Sequence, residues 1–174
     1  TRYPIAFSMA LNGVSFIAAL QTDYKSARDL AEESQRICRS LGSGGELGLA
    51  GALLASGLTA VWSSGDIVQA EVGYEQAATI YEARSIQWER AFAILRLGVT
   101  ARSRKNFQKS LLLLGECQGF FLALDDAFGL ARAYGELSHL HMTQGDYAQA
   151  RRMREQALYY DKKLRFQHAV SGSL

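Results

Sequence analysis

The sequence predicts an all-α chain of four stacked helix pairs, and three features carry that prediction. A six-residue motif recurs as Thr22-Asp23-Tyr24-Lys25-Ser26-Ala27, Gly65-Asp66-Ile67-Val68-Gln69-Ala70, Lys105-Asn106-Phe107-Gln108-Lys109-Ser110 and Gly145-Asp146-Tyr147-Ala148-Gln149-Ala150. Its Asp or Asn stands at positions 23, 66, 106 and 146, spacings of 43, 40 and 40. Apolar residues on either side of each copy recur at steps of three and four, the period of one helix face. The 174 residues contain one proline, the residue that interrupts helix interiors. A helix pair cannot bury its own apolar face, so pairs repeated at a fixed period stack on one another.

Each motif copy reads as a tight turn between two helices. Glycine, at 65 and 145, closes the first helix in the left-handed conformation. The Asp or Asn caps the second helix, an aromatic or aliphatic residue tucks under the turn, and a small residue three further on permits close packing. Downstream, the columns Leu30/Gly73/Leu113/Met153, Ser34/Ala77/Cys117/Ala157, Ile37/Ile80/Phe120/Tyr160 and Leu41/Arg84/Leu124/Leu164 mark one face of the second helices. Upstream, Leu11/Leu54/Ile94/Tyr134, Val14/Gly57/Leu97/Leu137 and Ala18/Val61/Ala101/His141 do so for the first helices. Pro4 suits the first turn of a helix. The predicted helices are 4–21, 24–41, 47–64, 67–84, 87–104, 107–124, 127–144 and 147–164, each about 25 Å long. They make one domain, 1–164, with repeats 4–41, 47–84, 87–124 and 127–164. Gly42-Ser43-Gly44-Gly45 reads as a flexible loop, and 165–174 as a loose tail. The third motif copy departs most, so its turn is expected to be the looser one.

Composition excludes several classes. A net charge of +2 gives no general attraction to nucleic acid or membrane. Two cysteines do not make a disulfide framework, and no secretory signal is visible. Ile5–Leu20 and Leu111–Leu114 are too short or interrupted to span a bilayer, and the latter reads as core. The chain begins at Thr1 instead of methionine, from which a longer parent and a cytoplasmic setting are expected.

The small residue in the first helix, Gly145-Asp146-Tyr147 at the turn and Ala four residues after the Asp resemble the tetratricopeptide family. The period near forty is similar to that of the long-helix repeats in the sensor regions of large ATP-binding LuxR-type, maltose-activator-like bacterial regulators. The stretch Ala31-Glu32-Glu33-Ser34-Gln35-Arg36-Ile37-Cys38-Arg39-Ser40-Leu41-Gly42 resembles their second helix, and the resemblance covers almost the whole chain. It implies a right-handed superhelical solenoid with its concave groove lined by first helices. It also implies a non-catalytic module for protein interaction or effector sensing in a transcriptional or signalling regulator. Carried over position by position, the groove receives Asn12 and Phe16, then Ala55, Thr59 and Trp62, then Leu95, Arg96, Val99 and Arg102, then Arg132, Glu136, His139 and Thr143. The binding candidates among them are Asn12, Phe16, Thr59, Trp62, Arg96, Arg102, Glu136 and His139. Aromatic area with arginines suits a peptide segment whose carboxylate meets an arginine; a small inducer stacked on Trp62 is the other ligand class. Trp62 also reads as a packing residue at a helix end, and Arg96, Arg102, Arg104 and Lys105 as a solvated face.

No catalytic constellation can be assembled. His139 and His141 lie about 200° apart around a helix and cannot converge on a metal. Cys38 and Cys117 sit on apolar stripes in different columns and read as buried structural thiols. Gly42–Gly45 lacks the lysine and hydroxyl of a phosphate loop, and Asp125-Asp126 reads as a helix cap. The expectation is no enzyme, no cofactor or metal, and no direct nucleic-acid or membrane contact. The first helix is unusually apolar, with Ile5, Phe7, Met9, Leu11, Phe16, Ile17 and Leu20. In the last helix, Arg154 and Asp161 replace Tyr74/Leu114 and Tyr81/Phe121. Either further repeats precede Thr1 or the N-terminal face self-associates. The alternative to a groove binder is a structural scaffold or oligomerisation module without a groove ligand.

Overall fold

The computed structural model describes residues 3–171, which are all-helical, with no strand among them. The helices are α1 (Pro4–Leu20), α2 (Tyr24–Ser40), α3 (Glu46–Ser64), α4 (Ile67–Ala83), α5 (Gln87–Ser103), α6 (Phe107–Ala123), α7 (Ala127–Thr143) and α8 (Tyr147–Ser171). Every expected helix is present, its ends within one residue of those predicted, except at the end of α8. The chain forms two compact units, Thr1–Ala93 and Ile94–Leu174, divided inside α5.

The turns account for this register. Each of the seven links between successive helices holds one residue in the left-handed region: Thr22, Gly42, Gly65, Ser85, Lys105, Asp125 and Gly145. At the motif turns the next residue caps a helix with its side chain. Asp23 accepts from the Ser26 amide at 3.2 Å, Asp66 from Gln69 at 3.0 Å, Asn106 from Lys109 at 3.1 Å and Asp146 from Gln149 at 3.1 Å. The backbone amide of that same residue donates back to the end of the preceding helix, as from Asp23 to Ala18, Asn106 to Ala101 and Asp146 to His141. Orphan groups at both helix ends are thereby satisfied. The third turn, expected to be looser, makes the same two bonds as its neighbours, because asparagine caps as well as aspartate.

Within a pair, serine hydroxyls tie one helix to the other. Ser15 donates to the Ala27 carbonyl at 2.7 Å and Ser34 to the Ser8 carbonyl at 3.0 Å, setting α2 alongside α1. In the second unit Ser138 donates to Ala150 at 2.8 Å and Ser110 to Gly98 at 2.8 Å. All four serines are fully buried or nearly so, where an unpaired hydroxyl would be costly. Close approach also needs small partners: a side chain at Gly57 would meet the Tyr74 ring at 2.5 Å. In the first unit Ala50, Leu53, Ala77 and Tyr81 form a core flanked by Leu49, Leu54, Ile80 and Ile86. In the second, Leu114, Phe121, Leu130, Leu137 and Leu140 are buried.

Three expectations need correction. Gly42–Gly45 is a 3-10 turn and not a slack loop. Gly45 is buried where an added side chain would collide with the Cys38 backbone, and Arg84 reaches back to donate to the Ser43 carbonyl at 3.0 Å and to Glu46 at 2.7 Å. The stretch from Arg165 continues α8 as far as Ser171, since no glycine or proline interrupts it; residues 172–174 lie outside the described residues. In the Leu111–Leu114 run only Leu114 is fully buried, while Leu111 and Leu112 are exposed. Four consecutive residues cover more than a full helical turn and cannot share one face. By length and composition the segment Gly42–Ser64 is apolar enough to cross a membrane, yet half of its window is buried in the fold.

A left-handed conformation costs a non-glycine residue about 1–2 kcal/mol, so the turns can be tuned. Lys105→Gly should stabilise by up to about 1 kcal/mol, raising the melting temperature by about 2–4 °C. Gly65→Ala should lower it by a similar amount. Thermal unfolding followed by circular dichroism distinguishes these outcomes from a turn that tolerates either residue.

Candidate functional site

The predicted binding residues fall into two groups, one in each unit. In the first unit, Asn12 and Phe16 come from α1 and Trp62 from α3. The Phe16 and Trp62 rings lie 6.4 Å apart between centroids, tilted by 41°, a favourable aromatic separation. Each remains 38% exposed, so the pair is an open aromatic platform. Asn12 is half-buried and donates to the Gly48 carbonyl at 3.0 Å, fixing α1 against α3 instead of facing a ligand. Its Oδ1 is buried without a hydrogen bond.

Thr59, expected in the groove, is 2% exposed. Its hydroxyl donates to the Ala55 carbonyl one turn back at 2.9 Å, which lets threonine enter a core as an apolar residue would. Ala55 and Leu95 are likewise buried. All three are packing residues, and Thr59 also borders the polar cleft described below.

In the second unit, α5 and α7 bring together Arg102, Glu136 and His139. Arg102 Nη2 lies 3.0 Å from Glu136 Oε2, with the two side chains only 21% and 16% exposed. His139 Nδ1 is 3.8 Å from that same oxygen and half exposed. Arg102 is therefore neutralised by Glu136 and does not stand ready for an incoming carboxylate. Arg96 is half-buried on α5, and Arg132 is exposed on α7.

A further aromatic pair was not singled out from the sequence. Trp88 and Phe92, near the start of α5 and within the first unit, stack at 5.7 Å with their planes 5° apart; Trp88 is 38% exposed. Their spacing of four along one helix face was the available signal. A polar cleft of about 520 Å³ in the same unit is lined by Arg28, Glu32, Gln35, Ser56, Asp66 and Gln69, among others. At its floor Gln35 donates to Ser56 at 2.6 Å and accepts from Arg39 at 2.8 Å.

The thiols are inert by position. Cys38 and Cys117 are both buried and free. Burial pushes the Cys117 thiol up to about 12, the wrong direction for a nucleophile. His141 is mostly buried, with Nδ1 4.0 Å from Asp146, and Asp126 caps α7 through the Phe128 and Gly129 amides. Among the described residues no group of three or more His, Cys, Asp or Glu side chains is placed to hold a metal. No protein-family model matches the chain, and no curated protein matches it.

Two outcomes test this geometry. Glu136→Gln leaves the Arg102 guanidinium without its ionic partner and should cost about 1–2 kcal/mol, between the exposed and the buried cases. In a double-mutant cycle with Arg102→Met, most of that loss should vanish. The native protein should show no fast thiol towards a disulfide reagent at neutral pH and two after unfolding. Because the Cys117 and Tyr81 acidities are both weakened by folding, each to about 12, the folded state holds their protons longer. That stability is complete below pH 9 and is lost as the pH rises towards 12; Cys117→Ala should flatten the first part of the decline.

Proposed function

We propose that this chain is a non-catalytic binding module built as a tetratricopeptide-type, right-handed solenoid of antiparallel helix pairs. It holds a protein or peptide segment, or a small effector, on the face formed by the first helices of the pairs. The observation that carries the reading is the open Phe16–Trp62 platform on α1 and α3. Rigid aromatics with part of their area in water are the side chains most enriched at binding hot spots. Around it the scaffold is held by capped, hydrogen-bonded turns, so the aromatic surface is preorganised and little entropy is lost on binding.

The family reading agrees with the repeated left-handed turn, cap and small residue, and with a period near forty. On that reading the module senses an effector within a larger cytoplasmic bacterial transcriptional or signalling regulator, without touching nucleic acid or membrane itself. The reading without catalysis is supported by two buried thiols, of which Cys117 is held protonated, and by histidines held in separate environments. Oligomerisation without a groove ligand remains a second reading, favoured by the exposed apolar face of α1.

The test uses the protein's two tryptophans. With Trp88→Phe in place, Trp62 alone reports, and a panel of peptides and metabolites is titrated against its emission. A ligand should perturb that emission, and Trp62→Ala, followed by calorimetry because it removes the reporter, should weaken its binding tenfold or more, about 1.4 kcal/mol, with unchanged helicity. A ligand that binds Trp62→Ala as tightly as the parent places the site elsewhere.

A further inference from the structure

We infer that the polar cleft between α2 and α4 binds a small zwitterion, a ligand the size of an amino acid or dipeptide with a free ammonium and a free carboxylate. The cleft lies wholly within the first unit and is distinct from the Phe16–Trp62 platform, so the inference does not depend on that surface. Arg28, Glu32 and Gln35 line it from α2, Ser56 from α3, and Asp66 and Gln69 from the start of α4. Its volume of about 520 Å³ falls in the range of small-molecule sites, roughly 300–1,000 Å³.

Small residues open the cleft. Its floor on α3 is Ser56, Thr59, Ala60 and Ser64. Forty residues on from Ser56 the repeat carries Arg96, and eighty on it carries Glu136. Either of those side chains, set at position 56, would reach into the space that serine leaves empty. Gln35 is fixed from both sides, donating to Ser56 at 2.6 Å and accepting from Arg39 at 2.8 Å. Ser56 still has its own proton to give, and the Gln69 side-chain amide can both donate and accept. The polar lining is thus partly preorganised before a ligand enters.

Charge selects the ligand. Among the described residues no aromatic or long aliphatic side chain lines the cleft, so a flat ring or an acyl chain has nothing to pack on. The lining holds instead one guanidinium and two carboxylates. Arg28 and Glu32 stand one turn apart on α2, about 5.4 Å along the axis, and among the described residues neither is bonded to another side chain. A cation four residues ahead of an anion is the weaker order for an ion pair along a helix, so both heads stay available. Asp66 uses one oxygen to accept from the Gln69 amide at 3.0 Å and keeps the other. Arg28 takes the ligand carboxylate in its planar fork, while Glu32 and Asp66 take the ammonium. An ion of one sign alone would meet repulsion from the group of like charge. All three ionic side chains belong to exposed residues, and exposed ion pairs contribute little each, so dissociation constants of about 10 µM to 1 mM are expected.

Amide NMR of the intact chain, titrated with each common free amino acid and with glycylglycine to about 10 mM, spans that range. At least one of them should saturably shift the amides of Gln35, Ser56 and Gln69 and leave the Trp62 indole unmoved. Its N-acetyl and C-amide derivatives, each lacking one charge, should bind about tenfold more weakly or worse. Arg28→Met and Glu32→Gln should weaken the parent ligand to the same degree at unchanged helicity and melting temperature, since both positions are exposed. Ser56→Arg should abolish binding by filling the floor. No saturable shift at the highest concentration overturns the inference. So does a ligand that binds equally well after acetylation and amidation, or one whose shifts centre on Phe16 and Trp62 and spare the cleft.

Discussion

One left-handed residue followed by a capping Asp or Asn is the constraint on which every helix pair depends. The left-handed residue reverses the chain in the fewest steps. The cap then satisfies an amide of the second helix, and the backbone amide of the capping residue satisfies a carbonyl of the first. Both bonds are local, so closing the turn needs no long-range contact. Glycine takes this conformation freely, whereas Thr22 and Lys105 are held in it by the bonds on either side. The reversal fixes which residues face one another across the pair. Ser15 and Ala27 meet because both are a fixed number of residues from Thr22 and Asp23, and Ser138 and Ala150 meet for the same reason around Gly145. Only a small residue fits at that meeting point, and a serine there must find a carbonyl across the pair.

From that register the outer surfaces follow. A second-helix column that reads Tyr74 and Leu114 is buried where a first helix lies over it, and reads Arg154 where the position is exposed. The neighbouring column repeats the change, from Cys38, Tyr81 and Phe121 to Asp161. α1 does the opposite, carrying an uncharged apolar stripe on a face that nothing in the chain covers among the described residues. Burial and residue type therefore agree at these two columns of α8 and disagree along α1.

The elements legible from the sequence were those set by local chemistry. Helix spans, caps and turns depend mostly on near neighbours, and those set by the motif were found where it placed them, apart from the end of α8. Side chains whose surroundings come from distant residues were not legible. Thr59 looked polar, but its bond to the Ala55 carbonyl hides that polarity and allows burial. Four glycine and serine residues at 42–45 looked slack, but Arg84 crosses from 38 positions beyond Glu46 to hold them. Arg102 looked like a free cation because its partner, Glu136, is 34 residues away. Trp88 and Phe92 could have been found, since both belong to one helix; they matched no column of the repeat and were passed over.

The two candidate surfaces differ in what they can contribute to affinity. On the second unit, an anionic ligand reaching Arg102 would displace Glu136 and exchange one ion pair for another of similar strength. Only the difference appears in binding, and the released Glu136, itself mostly buried, must be accommodated. Such a site discriminates between ligands more than it strengthens their binding. On the first unit, Phe16 and Trp62 already pack against each other and have few rotatable bonds to lose. Covering their exposed remainder removes apolar area from water with no ion to desolvate. Taken separately, the aromatic pair of α1 and α3 is accordingly the better source of affinity, and the ionic cluster of α5 and α7 the better source of discrimination.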